Sequence, residues 1–330
     1  MRRTLLTSSM AIAVVAAAFV TFVPGAVPVA SAIGQGGNGS RLTDRFIGTW
    51  RLVGTDQLGP NNEVLPAPAG GRPTQIGYII YDASGHMAVT IMNSARQKYA
   101  GAQPTPEEAR ASLTGYTSYF GSFIVSEAEG VVIHRLQGSL NPNMEQDQRR
   151  WFEFSENRLM LKPPRNQTTG NQARLTWERM PDLAKSTPVY RRFVGFWKLV
   201  SNERRTVKGE VLSSNPGQTG FIIYTAAGQM AVHMMQPGRK KYAAAQPTPE
   251  EALEALRTYT SYFGPFTVHD HERPAYVVHH RIGLLNPSQI GTDAQRFFEF
   301  SGRRLLLKPP VAVADGQQQQ GLITWERLGN

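Results

Sequence analysis

The chain has 330 residues, a formal net charge of +10 and no cysteine. This length allows two domains of ordinary size, and the lack of cysteine excludes disulfides, thiol catalysis and a lipid on an N-terminal cysteine. The basic residues are scattered and no RNA-binding or helix-turn-helix pattern is present, which argues against a nucleic-acid partner.

The N-terminal segment has the pattern of an export signal. Arg2 and Arg3 precede an apolar run over residues 10–23, and "VASA" at 29–32 has the small residues of a cleavage site. An uncleaved membrane anchor is the alternative, but the run is short for a spanning helix and Pro24 interrupts it. We predict a signal peptide over 1–32 and an exported protein, secreted or periplasmic, with either the general or the twin-arginine route possible.

The rest of the chain is written twice. "FIGTW" at Phe46 returns as "FVGFW" at Phe193, and "IIY", "TSYFG", "FEFS", "LKPP" and "TWER" each recur in the same order. The period is far longer than that of a solenoid repeat, so it indicates a duplicated domain. We predict copies at 41–180 and 191–330, joined by a linker at 181–190.

One amphipathic helix is predicted in each copy, at "QPTPEEA". Thr105 suits an N-cap, Pro106 suits the first helical position, and Glu108 completes a capping box. Apolar residues continue at helical spacing as far as "YFG". The pattern therefore predicts helices over 106–120 and 249–263, packed against the mouth or wall of each domain.

The remaining segments favour short antiparallel strands. "YIIYDASGHMAVTIM" contains two β-rich runs around the turn at 82–85, and several further runs follow with turn residues between them. A meander of this length usually closes on itself to remove its edges. The predicted fold class is all-β, with two tandem antiparallel up-and-down barrels and one helix in each.

The motifs resemble those of the bacterial and fungal lipocalin-like domain family, with a calycin-type barrel. The resemblance rests on Gly-x-Trp at the first strand, "GYIIY", "PEE", "YFG", "LNP", "FEF" and the terminal "TWER", found in order in both copies. It implies a barrel that holds small apolar or amphipathic molecules. It also implies that Trp50 and Trp197 close one end of each barrel, with Arg179 and Arg327 lying on their rings.

Four polar residues on predicted strands are candidate ligand contacts. Arg150 shares a strand face with two phenylalanines, as does Arg296, and burying an arginine without a partner is unfavourable. His134 and His279 occupy matching positions before the "LNP" motifs. We predict that all four orient the polar end of a ligand; a structural arginine paired with a protein carboxylate is the alternative.

Two further pairs are expected near the barrel rims. Tyr81 and Tyr224 precede the first turn, and Arg96 and Arg239 follow the next strand. Tyrosine with arginine at a rim suits an amphipathic ligand whose anionic end meets the arginine.

The second copy alone contains the histidine-rich stretch "VHDHERPAYVVHH". His269 and His271 share one strand face, and a tight turn would bring His279 and His280 alongside them. Because no third ligand is fixed at metal distance, we favour a solvated hairpin over a zinc or copper site and predict no metal.

No motif of a hydrolase elbow, phosphate loop, dinucleotide fold or metalloprotease is present, and no cofactor is predicted. The leading hypothesis is an exported carrier of small apolar or amphipathic molecules, some of them anionic. A barrel enzyme of the isomerase, cyclase or dehydratase type remains an alternative, as does a structural or partner-binding module. The oligomeric state is left open.

Overall fold

A computed structural model describes residues 39–329, and the predicted signal peptide lies outside them. The strands of the first barrel follow one another around a closed ring in chain order. They are β1 (Gly48–Leu58), β2 (Gln75–Tyr81), β3 (His86–Asn93), β4 (Tyr116–Ser126), β5 (Val131–Ser139), β6 (Asp147–Ser155), β7 (Arg158–Lys162) and β8 (Gln172–Arg179).

The second barrel repeats this ring and adds short edge strands. Its ring strands are β9 (Gly195–Thr206), β11 (Thr219–Tyr224), β12 (Gln229–Met235), β13 (Tyr259–His269), β14 (Tyr276–Arg281), β16 (Thr292–Ser301), β17 (Arg304–Lys308) and β19 (Gln317–Arg327). Pairing of β19 with β9 closes it. The additions are β10 (Val211–Ser214), β15 (Gly283–Leu284), β18 (Ala312–Ala314) and a 3-10 turn (Pro287–Gln289). The prediction of two all-β antiparallel barrels is confirmed; the exact domain and linker bounds stay predictions.

Within residues 39–329, four short helices accompany the barrels: α1 (Gly39–Phe46), α2 (Pro106–Thr114), α3 (Pro188–Phe193) and α4 (Pro249–Arg257). The predicted capping box of Thr105 and Glu108 is present, and α2 and α4 pack against each other as well as on their strands. In the described part of the chain, no helix has the length and apolar character needed to cross a membrane.

The predicted helix ends were wrong. Helix α2 ends at Thr114, and "YTSYFG", which we assigned to it, begins strand β4. The error has a physical cause: Tyr116 and Phe120 are spaced for either period, but they lie on the outer face of a strand that pairs with β3. The same correction applies to α4 and β13.

Strands β2 to β4 are buried on both faces because the two barrels pack side by side. Their inner residues belong to the core of the first barrel. Their outer residues, among them Tyr78, Ile80 and Phe120, form one apolar cluster with Phe221 and Phe263 of the second copy. This shared cluster explains why "YIIY" is apolar at every position.

Polar side chains are buried within this interface and join the copies. Ser118 Oγ lies 2.9 Å from His233 Nδ1, and Tyr116 Oη lies 3.0 Å from Ser261 Oγ. Burial lowers the pKa of His233 to about 3, so the imidazole is neutral at ordinary pH.

The closed end of each barrel is built as the Gly-x-Trp motif implied. The Arg179 guanidinium lies 4.2 Å from the Trp50 ring centre, and Arg327 lies 4.3 Å from that of Trp197. The indole of Trp50 donates to the carbonyl of Phe46, which packs into the barrel from α1. These pairs are structural contacts.

Candidate functional site in the barrel interiors

A histidine inside each barrel is held between two tyrosine hydroxyls. In the first barrel His134 is fully buried; its Nε2 lies 2.8 Å from Tyr81 Oη and its Nδ1 lies 3.0 Å from Tyr119 Oη. Strands β2, β4 and β5 supply these residues at inward positions of the pleat.

The triad leaves one hydroxyl proton unused. A neutral imidazole carries one N–H donor and one bare acceptor nitrogen, so one tyrosine donates to the ring and the other accepts from it. The accepting tyrosine keeps its own proton, and within residues 39–329 neither hydroxyl has a second hydrogen-bond acceptor. Each triad can therefore donate one hydrogen bond to a bound molecule.

The electrostatics keep His134 neutral. Burial lowers its pKa well below the usual value, and the positive charge of Arg150 lowers it further. Burial also raises the pKa of Tyr81 and of Tyr119, partly offset by the same guanidinium. At neutral pH the triad is uncharged, and the guanidinium of Arg150 supplies a positive charge close to it.

Arg150 lies on the inward side of β6, half-buried. Its neighbours Phe152 and Phe154 pack on the core of the first barrel, whereas Trp151 is exposed on the other face. The guanidinium donates to the main-chain oxygen of Arg149 and to Gln148 Oε1. No carboxylate of the described residues forms an ion pair with it.

The second copy repeats the arrangement around a cavity. His279 is fully buried, with Nε2 2.8 Å from Tyr224 Oη and Nδ1 2.9 Å from Tyr262 Oη. A cavity of about 380 Å³ is lined by Tyr262, His279 and Arg296, together with apolar side chains of the barrel. That volume lies in the usual range for small-molecule sites.

The lining of this cavity is completed by the other copy. Tyr99, Gln103 and Pro104, from the segment before α2 in the first copy, line it beside residues of the second barrel. The main-chain N–H of Tyr99 donates to Ser288 Oγ at 2.9 Å. The equivalent hydrogen bond in the opposite direction runs from the main-chain N–H of Tyr242 to Asn143 Oδ1 of the first copy.

Arg96 and Arg239 are not rim residues awaiting a ligand. Arg96 donates to the carbonyls of Leu284 and Leu285, and Arg239 donates to those of Ser139 and Leu140, in each case across to the opposite copy. The sequence analysis placed both at a rim because their partner carbonyls belong to the other copy and come within reach only when the two barrels pack together.

Tyr81 and Tyr224 also lie elsewhere than expected. Each is 1% exposed and sits inside its barrel against the triad histidine, not at the rim. The adjoining turn is at the end of the barrel that the tryptophan closes, since Gly48 pairs with Tyr81.

Three residues of the site escaped the sequence analysis. Tyr119 and Tyr262 were assigned to helices, although the β-rich "TSYFG" repeat was a signal for a strand. Arg281 also lines the second cavity. It was not predicted as a site residue, because the hypotheses for this strand concerned the two histidines that precede it.

The histidine-rich hairpin does not gather its imidazoles. His279 points into the barrel, His280 lies 2.8 Å from Asp293 on the other face, and His269 stacks on Tyr276. No cluster of three metal-ligating side chains occurs in the described residues.

The sequence profile of the lipocalin-like domain matches residues 47–180 and 194–328. The chain belongs to the lipocalin-like domain family. Part of it also resembles a 4'-hydroxy-3'-methoxypropiophenone carrier protein of Aspergillus oryzae, 31% identical over 108 residues, or 30% of this chain and 96% of the relative.

Solved structures resemble the chain more distantly. A protein with unknown function of the DUF3598 family from Nostoc punctiforme aligns over 88% of this chain and 99% of its own, with 13% identity and a TM-score of 0.23. Transferrin Binding Protein B of Haemophilus parasuis, a Trp-176-Ala mutant, aligns over 86% and 76%, with 8% identity and a TM-score of 0.19.

Proposed function

We propose that this chain is an exported carrier whose barrels each hold a small apolar or amphipathic molecule. The apolar part lies among the inward side chains, and an acceptor or anionic end meets the arginine and the tyrosine hydroxyls of the triad. The site residues are His134 and Arg150 in the first barrel and His279 and Arg296 in the second.

One observation carries the proposal: a guanidinium without a described carboxylate partner lies beside a neutral tyrosine-histidine-tyrosine triad in an apolar barrel, and does so twice. Burying a cation without a counter-charge is unfavourable, whereas an oxygen acceptor on a ligand satisfies both the arginine and the free hydroxyl proton. The relative named as a carrier of a phenolic ketone supports the same ligand chemistry.

The first experiment asks whether the protein holds a ligand. Native mass spectrometry of the purified chain, followed by organic extraction, would detect a co-purifying amphipathic molecule. Direct titration with 4'-hydroxy-3'-methoxypropiophenone then tests the acceptor chemistry, since its carbonyl oxygen can accept from arginine and from tyrosine.

Paired variants locate the site. Arg150→Met and Arg296→Met together should weaken binding by roughly tenfold or more, as expected for losing charge-assisted hydrogen bonds of about 1.5 to 3 kcal/mol. Arg149→Met is the matched control, because Arg149 lies next to Arg150 on β6 but pairs with Glu129 at the surface. Equal affinity in all of these variants would remove the arginines from the site.

Export is tested separately. N-terminal sequencing of material recovered outside the cytoplasm should begin close to Ile33. An intact Met1 on a membrane-bound chain would overturn cleavage, and with it the placement of the carrier.

A further inference from the structure

The two barrels differ in charge at one inward position. In the second barrel Arg281, at the end of β14, lines the cavity. The first barrel has Leu136 at the matching place on β5, 8% exposed and part of the apolar core. At this position only the second copy carries a guanidinium, in addition to that of Arg296.

Strand register establishes the match. Val132 pairs with Arg150, and Val277 pairs with Arg296 in the same way. A side chain at Gly121 would meet the carbonyl of Arg135, and one at Gly264 would meet the carbonyl of His280. The residues that follow these carbonyls are Leu136 and Arg281.

Arg281 is held in place by neutral partners. Its guanidinium donates to the main-chain oxygen and the hydroxyl of Thr292, and lies 6.0 Å from the Tyr262 ring centre. Burial lowers the pKa of Arg281, and the carboxylate of Asp293 partly offsets this effect. Asp293 itself lies 2.8 Å from His280 on the outer face. Within residues 39–329, no carboxylate forms an ion pair with Arg281 or Arg296.

We propose that the second barrel selects amphipathic molecules that carry a carboxylate, and that Arg281 is the residue that sets this selectivity. The inference rests on the proposed carrier function. Two guanidiniums in a partly desolvated cavity repel each other, and a carboxylate, with two oxygens, can accept from both. The first barrel, with Leu136, binds molecules of lower charge.

The test compares two probes of equal chain length, sodium dodecanoate and dodecan-1-ol, titrated into the full chain by calorimetry. Wild-type protein should bind dodecanoate more tightly than dodecan-1-ol at one of its two sites. Arg281→Leu, which restores the residue of the first copy, should weaken that site at least tenfold for dodecanoate and less than twofold for dodecan-1-ol. Arg281→Gln, which retains hydrogen-bonding capacity, should do the same and guards against misfolding.

Arg135→Leu is the control for net charge, because Arg135 is exposed on the outer face of β5. It should leave both affinities unchanged. If Arg281→Leu and Arg281→Gln bind dodecanoate as wild type does while Arg296→Met binds it weakly, the selectivity role is wrong and the carrier function stands. If wild type binds none of the three probes, that is, dodecanoate, dodecan-1-ol and the phenolic ketone, both the selectivity role and the carrier function are wrong.

Discussion

Arg96 of the first copy donates to the main-chain carbonyl of Leu284 in the second, with Nη1 2.6 Å from the oxygen. Arg239 returns the contact by donating to the carbonyls of Ser139 and Leu140. The two arginines also lie near the rings of Tyr116 and Tyr259, in the middle of the interface. The duplicated domains are thus clasped by equivalent residues acting in opposite directions.

Replacing Arg96 should loosen the clasp. Arg96→Met removes donors to three carbonyls, so the free energy of unfolding should fall by roughly 2 to 4 kcal/mol, given about 1.5 kcal/mol or more for each hydrogen bond from a charged donor and partial rescue by water. Urea titration followed by tryptophan fluorescence measures this. Arg110→Met, at an exposed position of α2, should change stability little.

Tyr99 should govern the escape of ligand from the second barrel. Because Tyr99 lines that cavity from the first copy and is only partly buried, Tyr99→Ala should raise the dissociation rate of dodecanoate several-fold. Stopped-flow displacement measures the rate. Lys98→Ala, one residue away and exposed, should dissociate at the wild-type rate, and equal rates for both variants would show that the segment does not guard the cavity.

Stability should fall in mild acid because buried histidines are kept neutral. His233 has a pKa of about 3 when folded and about 6.5 when unfolded, so between these values only the unfolded chain takes up the proton. Above pH 6.5 the imidazole is neutral in both states and does not lower the stability. As the pH falls below 6.5, the free energy of unfolding decreases by up to about 1.4 kcal/mol per pH unit. His134 and His279, whose pKa values are also lowered by burial, act in the same direction.

The free energy of unfolding of His233→Gln, measured from pH 4.5 to 6.5, should depend on pH less steeply than that of wild type. His271→Gln provides the comparison, since the His271 side chain is 96% exposed. Identical slopes for wild type and His233→Gln would contradict the assignment of a neutral buried imidazole.

The fourth prediction concerns the contact between Arg179 and Trp50 at the closed end of the first barrel. Arg179→Met removes the contact with Trp50 and the donations to the carbonyls of Ile47 and Arg45. We expect a loss of roughly 1 to 3 kcal/mol in the free energy of unfolding, from the cation-π contact and the hydrogen bonds together. Arg51→Met, which removes only a surface ion pair with Glu178, should cost under about 1 kcal/mol.

Part of the site was accessible from sequence. Arg150 stands out because it alternates with Phe152 and Phe154, and His134 stands out because its position recurs in the second copy. The tyrosines that hold the histidine could not be assigned, because Tyr81 on β2 and Tyr119 on β4 reach His134 on β5 only through the register and curvature of the paired strands. Sequence spacing contains no information on which inward side chains meet across a barrel.

The sequence by itself determined the duplication, the strand-rich barrel class and the capping box of Thr105 and Glu108. These follow from local periodicity, capping chemistry and repetition, which act over short stretches or are visible by comparing the copies.

The tertiary structure alone decided where "YTSYFG" belongs, since Tyr116 and Phe120 became strand residues when a second barrel covered their outer face. It likewise turned Arg96 and Arg239 from rim residues into a clasp and brought Tyr99 over the neighbouring cavity. The physical reason is that these contacts join residues about 100 to 190 positions apart, so their energies depend on docking between domains and leave no trace in local pattern.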